Sequence, residues 1–354
     1  MRVLMLTQAL DAADPVLSFA VDWVAALAAR VERLDVLCLR ADAPVVPANV
    51  RILDLGATRA RSRVRRLVEF ERRVTGAIRD VDVIVAHMSP RFVVAGGPAA
   101  LAGRKPVVLW YVHRQASTEL RIATAMSTFV ATAVGDSFPL RTAKLRVLGH
   151  GVNSAFFSPD PNCAADSPPL IVLVGRLSAI KHQHTLVQAL SQLPPRYAAA
   201  RVTFAGGVPD GQDASYARRL PELATELGVE SRVIFTGPLS REGVRDLYRR
   251  ATVAVNLSPS GLFDKAALES MMASTPTIVA SPSFDGLVEG SAPWLRLSSP
   301  EDAAGLAATL DRVLDLPESA RRQIGAQVRA RAVEANGLDA FMDRLVALLR
   351  SAAM

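Results

Sequence analysis

Arg176 and Lys181 stand five positions apart, just after the apolar run Leu170–Val174 and Gly175. A short apolar run that stops at a glycine reads as a buried strand entering a loop. Two cations on one strand-to-helix loop suit a diphosphate, because arginine offers a planar fork and lysine a point charge. A second such place lies in Val253–Ala280. Val253–Leu257 reads as a buried strand and Ser258, Pro259, Ser260 and Gly261 as its loop. The residues after Asp264 read as a helix carrying Glu269, and Thr277–Ala280 follows Pro276 as the next strand. The first N–H groups of such a helix are unpaired and its dipole favours negative charge, so the loop is a candidate anion site. Glu269, one turn in, is placed to accept hydrogen bonds from sugar hydroxyls. Surface cations on a loop would explain Arg176 and Lys181 alone; joined to the second loop, they point to a nucleotide sugar.

Weaker signals surround these two. Gly206-Gly207 follows the strand Val202–Ala205 and either admits backbone close to a ligand or makes a tight turn. Val233–Phe235 leads into Thr236-Gly237 with Pro238 and Leu239, a loop that either cups a base with main-chain groups or closes a turn. His113 follows Val107–Tyr111 and His87 ends Val83–Ala86, each at the carboxyl end of its strand, where ligands of open α/β sheets bind. A hydrogen-bonded structural histidine is the alternative for both. His182 and His184 lack partners in the pattern and should face solvent. Asp80-Val81-Asp82 precedes a strand and reads as structural. No metal-ligand cluster, ATPase-type phosphate loop or nucleophile elbow is visible.

These residues need a scaffold, and the composition supplies one. The chain has 354 residues, half of them hydrophobic, enough for two domains with buried cores. Only Cys38 and Cys163 are present, which excludes a disulfide framework and suggests a cytoplasmic protein. Met1–Leu6 is too short for a secretory signal, and no apolar run reaches the roughly 18 residues of a membrane span. The net charge of +7 is confined to residues 1–160, with 21 Lys+Arg against 14 Asp+Glu; residues 161–354 carry 20 of each. Arg59, Arg61, Arg63, Arg65, Arg66, Arg72 and Arg73 concentrate it, beside an apolar face of Val64, Leu67, Val68, Val74 and Ile78. A solvated arginine face and a helix resting on the anionic inner face of a membrane are both open readings. Nucleic acid is disfavoured, because no aromatic residues interleave with the arginines.

Strand and helix patterns alternate through both halves, which predicts doubly wound parallel α/β domains. The helices expected in the first half are Phe19–Ala29, Arg61–Ile78, Arg91–Leu101 and Thr118–Ala125. The Pro-rich stretch 156–169 breaks the pattern and reads as a hinge linker. The expected domains are 1–155 and 170–335, with a C-terminal helix in 336–354 that packs back on the first.

Taken in order along nearly the whole chain, these segments resemble glycosyltransferase family 4 of the GT-B fold. Gly175-Arg176-Leu177 with Lys181 is similar to the family's G-R-L…K phosphate clamp. Val233–Gly237 is similar to its V-x-F-x-G strand, and Ser258–Ala273 to its P-S…E-x-F-G…L-E-A-M-A segment. Tyr111-Val112-His113 sits where the family places a histidine near the donor sugar. His150-Gly151-Val152-Asn153 resembles the N-G-V-D turn before the hinge. The resemblance implies two Rossmann-like domains facing a cleft and a retaining glycosyltransferase using a nucleoside-diphosphate sugar, with no metal or other cofactor. Arg176 and Lys181 would neutralise the leaving diphosphate, and Glu269 would bind the ribose. His113 and the N–H groups around Leu262, Phe263 and Asp264 would meet the donor sugar. The acceptor would be a glycan hydroxyl, lipid-linked or of the cell envelope. Two places depart from the family. Gly261 stands where a first glutamate is usual, so Asp264 or Lys265 would take over its sugar contact. Asp11–Leu17 replaces a Gly-Gly loop. A non-catalytic nucleotide-sugar binder, an epimerase or a phosphorylase on the same fold fits the pattern as well.

Overall fold

A computed structural model describes residues 1–14, 17–56, 62–163, 165–208 and 211–354, apart from the side chains of Arg63, Arg66 and Gln212. It divides into two units, Met1–Asn153 with Asn336–Met354, and Ser154–Ala335.

The first unit runs β1 (Arg2–Leu10), α1 (Phe19–Ala28), β2 (Arg33–Ala41), β3 (Val50–Asp54), α2 (Arg63–Ile78), β4 (Val83–His87), α3 (Pro90–Ala102), β5 (Val107–Trp110), α4 (Thr118–Met126), β6 (Phe129–Thr132) and β7 (Leu145–Val147). The strands form a parallel sheet in the order β3-β2-β1-β4-β5-β6-β7. β4 and β5 are buried along their whole length, as the continuous apolar runs require when helices cover both faces. The apolar run Val3–Leu6 predicts a strand, and β1 extends well beyond it. Thr7 interrupts the apolar run in sequence, yet it is fully buried with its hydroxyl 3.0 Å from His87 Nδ1, so the ladder to β2 continues to Leu10.

α2 does not present one apolar face to the core. Its C-terminal half does, through Phe70, Val74, Ala77 and Ile78. Val64, Leu67 and Val68 in its first turns stay 70, 51 and 61% exposed. Arg61, expected to open this helix, and Arg59 of the arginine run lie outside the described residues.

The second unit runs β8 (Leu170–Val174), α5 (Gln183–Ser191), β9 (Arg201–Ala205), α6 (Gln212–Glu226), β10 (Val233–Gly237), α7 (Arg241–Arg250), β11 (Val253–Asn256), α8 (Lys265–Met272), β12 (Thr277–Val279), α9 (Asp285–Val288), α10 (Ala303–Asp315) and α11 (Glu318–Asn336). Its parallel sheet has the order β10-β9-β8-β11-β12. β8 and β11 are therefore neighbours although two strands separate them in sequence.

Residues 156–169 are not a free linker. Phe157 is 1% exposed, Arg249 donates to the Ser158 carbonyl at 2.8 Å, and Arg250 pairs with Asp166 at 2.8 Å. The stretch is fastened to the second unit, which begins at Ser154.

The chain rejoins the first unit at the end of α11. Val152 N–H donates to the Asn336 carbonyl, and Leu338 N–H returns a bond to the Val152 carbonyl, at 2.9 and 2.8 Å. The last helix, α12 (Leu338–Ala353), buries Phe341 against Trp23 and Trp110, with ring centroids 4.3 and 5.0 Å apart.

Candidate functional site

The carboxyl edge of the second sheet is stitched by main-chain bonds between its loops. Gly175 N–H donates to the Ala205 carbonyl, Leu177 N–H to Gly207, and Gly206 N–H to Gly237, each at 2.9 Å. Gly206 takes part in this stitching. A Cβ on it would lie 2.0 Å from the Gly175 carbonyl oxygen, so any side chain would push the two loops apart. The three loops that hold Gly175 and Arg176, Gly206, and Gly237 with Pro238 and Leu239 thus act as one support.

Lys181 rises from this support on a single 3-10 turn, Ala179–Lys181, just ahead of α5 at Gln183. Its ammonium is not open. It forms an ion pair with Asp264 Oδ2 and donates to Ser258 Oγ at 3.1 Å. The same Asp264 oxygen accepts from Asn256 Nδ2 at 2.9 Å and from Ser258 Oγ at 2.8 Å, while Oδ1 accepts from Ala266 N–H and caps α8. Both charged side chains are largely covered, Lys181 at 16% and Asp264 at 14% exposure. Burial works to raise the Asp264 carboxyl. The Lys181 ammonium and the Asn256 and Ser258 bonds outweigh it and hold the group well below the usual carboxylate range. The helix start expected to take a ligand's phosphate thus already holds the protein's own carboxylate.

Arg176 is exposed, and no hydrogen bond or ion pair among the described residues engages its guanidinium; its carbonyl accepts from Gln183 Nε2 at 2.8 Å. Glu269 sits one turn along α8 with Oε1 3.2 Å from Lys265 Nζ. Burial raises its carboxyl above the ordinary range, against the pull of Lys265 and, more weakly, of Arg241. Lys265 and Asp264, expected to replace the missing glutamate toward a sugar, are therefore both engaged inside the protein.

Gly261 has φ +78°, in the left-handed region, so a glutamate there would be strained. One expected amide contact changes as well: Leu262 N–H already donates to the Pro259 carbonyl at 3.1 Å, closing the turn. The Phe263 ring is buried against Phe284 with centroids 4.7 Å apart.

Sequence reasoning missed Asn256 and Arg241. Asn256 was absorbed into an apolar strand; a lone buried amide at the carboxyl end of such a strand was the available signal. Arg241 opens α7 with its guanidinium 4.5 Å above the Phe156 ring.

The histidines separate by environment. His113 follows β5 of the first unit; it is exposed, with its ring edge-on to Tyr111 at 5.5 Å. His87 is a structural residue, 1% exposed, bonded to Thr7, and its pKa is pushed down to about 3 by burial and by His150. His182 and His184 do not simply face solvent: both are half-buried, and His184 Nδ1 lies 3.1 Å from Tyr216 OH. Asp82 accepts from Arg2 N–H at 2.7 Å, a structural role. In the loop after β1, Arg40 bridges Asp11 and Asp14 at 3.4 and 2.6 Å, a cation the sequence pattern did not reveal.

Comparison with known proteins agrees with this layout. Residues 157–331, which lie within the second unit, match the family model described as glycosyl transferases group 1. D-inositol 3-phosphate glycosyltransferase of Mycolicibacterium smegmatis is 30% identical over 209 residues, 56% of this chain and 46% of that protein. The enzyme of the same name from Acidothermus cellulolyticus is 31% identical over 156 residues, 41% of this chain and 35% of that protein. The matches thus span less than half the length of these relatives. Among solved structures, sucrose-phosphate synthase from Thermosynechococcus elongatus aligns with a TM-score of 0.77 at 21% identity, covering 99% of each chain. Anabaena HepE in complex with UDP-glucose aligns with a TM-score of 0.76 at 19% identity, covering 99% of this chain and 100% of that one. Both units have the Rossmann-like α/β fold of GT-B proteins.

Proposed function

We propose that this chain is a retaining glycosyltransferase of family 4 that moves a sugar from a nucleoside-diphosphate donor to a hydroxyl acceptor. The observation that carries the reading is the pairing of Lys181 with the start of α8, next to the loop of Arg176, within the segment that matches the glycosyltransferase model. UDP-glucose bound to the HepE fold supports a donor of this class.

In the proposed reaction the bond between the anomeric carbon and the β-phosphate oxygen breaks, and the acceptor oxygen bonds to that carbon on the same face. The acceptor proton passes to the departing phosphate. Arg176 and Lys181 stabilise the negative charge that develops there. Glu269 holds the ribose hydroxyls, and His113 serves the sugar. In this reading the two cations do the work a metal would do.

The finer reading of the acceptor is a lipid-linked or cell-envelope glycan. Its support is α2, whose Val64, Leu67 and Val68 stay exposed in a stretch rich in arginine.

Arg176→Ala or Lys181→Ala should cut donor turnover, read as diphosphate release, by about a hundredfold. A loss below about threefold for both would retire the assignment. A non-catalytic nucleotide-sugar binder is the second reading, favoured by Gly261 and by the closed Lys181–Asp264 pair. Calorimetric binding of a nucleoside diphosphate with no turnover on any acceptor, and no donor hydrolysis, would select it.

A further inference from the structure

We propose that Asp264 is a positioning residue that holds the lysine a donor diphosphate engages, so that binding hands Lys181 from carboxylate to phosphate. The inference rests on the reading that the diphosphate binds at this edge.

The geometry carries it in three steps. Lys181 is 16% exposed, and a cation so covered costs free energy unless paired. Asp264 supplies that pairing from the neighbouring loop. Asp264 is also the residue fixed in place, since Asn256, Ser258 and the Ala266 N–H hold both of its oxygens. Lys181 sits on one 3-10 turn with a flexible four-carbon stem, so the lysine is the partner free to move. After the exchange, Asp264 keeps its amide, hydroxyl and helix-cap donors, so its carboxylate stays hydrogen-bonded although it gives up its cation. Gly261, three residues earlier, is held at φ +78°, where a carboxylate-bearing residue is strained. Asp264 is thus the carboxylate this loop accommodates, and its charge both opposes the incoming diphosphate and competes for the lysine.

The consequence is opposite in sign to the loss expected of an ordinary binding residue. Asp264→Asn keeps a helix-capping side chain of the same shape and removes the charge. Calorimetry should show it binding UDP and inorganic pyrophosphate about three- to tenfold more tightly than the native protein, with uridine binding unchanged. In steady state the donor KM should fall and kcat should fall with it, because the diphosphate product leaves more slowly. Asp264→Ser, also neutral and capping, should behave alike, while Asp264→Glu should not tighten binding. A thermal melt of each variant confirms folding. Asp264→Asn and Asp264→Ser binding pyrophosphate no better than the native protein, while Lys181→Ala weakens it, overturns the role of Asp264. If Lys181→Ala and Arg176→Ala leave UDP and pyrophosphate binding unchanged, the diphosphate reading itself fails.

Discussion

Lys265 Nζ lies 3.2 Å from Glu269 Oε1, one helical turn apart on α8, and both side chains are mostly covered. The pair fixes the Glu269 carboxylate by a charge that travels on the same helix. If Glu269 reads the ribose, its removal should cost discrimination more than overall fold. The native protein should prefer UDP to 2′-deoxy-UDP by about tenfold or more, and Glu269→Ala should erase most of that preference. An unchanged ratio in calorimetric titrations would take Glu269 out of the ribose site.

The two carboxylates of this segment should titrate against stability in opposite directions. Asp264 is held low, so its stabilising share is present above the unfolded value of about 3.9 and is lost as pH falls through the lowered folded value. Glu269 is raised, so its share is full below the unfolded value of about 4.3 and is lost as pH rises through the raised folded value. Thermal melts across acid and neutral pH should show Asp264→Asn with a shallower acid loss than the native protein. Glu269→Gln should remove part of the decline on the neutral side. Parallel curves for both variants would contradict the environments described for these groups.

Much of this site was legible in the chain. Arg176, Lys181 and Glu269 announce themselves because each follows a recognisable strand end or helix start, and local spacing reports such positions. The partner of Lys181 was not legible. Asp264 is 83 residues away and reaches Lys181 only because β8 and β11 are neighbours in the sheet order. The same limit applies to α2. Periodicity groups Val64, Leu67 and Val68 with Val74 and Ile78, but it cannot say where the core stops. Phe70 and Val74 meet the sheet-side core, and the first turns of the helix run past it.

That overhang makes a measurable claim about surfaces. Val64, Leu67 and Val68 are exposed, and five arginines lie within Arg59–Arg66 with no acidic residue among them. Apolar side chains beside cations favour the interface of an anionic bilayer, each arginine adding about 1 kcal/mol near such a surface. Co-sedimentation with phosphatidylglycerol-containing vesicles should exceed that with neutral phosphatidylcholine vesicles. A triple change of Val64, Leu67 and Val68 to serine should lower it at both low and moderate salt, whereas alanine at Arg65 and Arg66 should lower it chiefly at low salt. Equal recovery of all variants would leave α2 an ordinary solvated helix.

The C-terminal helix offers a test of how the first unit is held together. Phe341 is fully buried against Trp23 and Trp110, so α12 is part of that unit's core although its residues come last in the chain. Phe341→Ala should destabilise the first unit by about 3–5 kcal/mol through lost contacts and the cavity left behind. The remaining tryptophan, Trp294, belongs to the second unit, where Arg312 lies 4.2 Å over its ring. In a Trp294→Phe background, tryptophan fluorescence therefore reports only the surroundings of Trp23 and Trp110. The urea midpoint of that signal should fall sharply with Phe341→Ala. A shift equivalent to less than about 1 kcal/mol would mean that α12 rests on the first unit without completing its core.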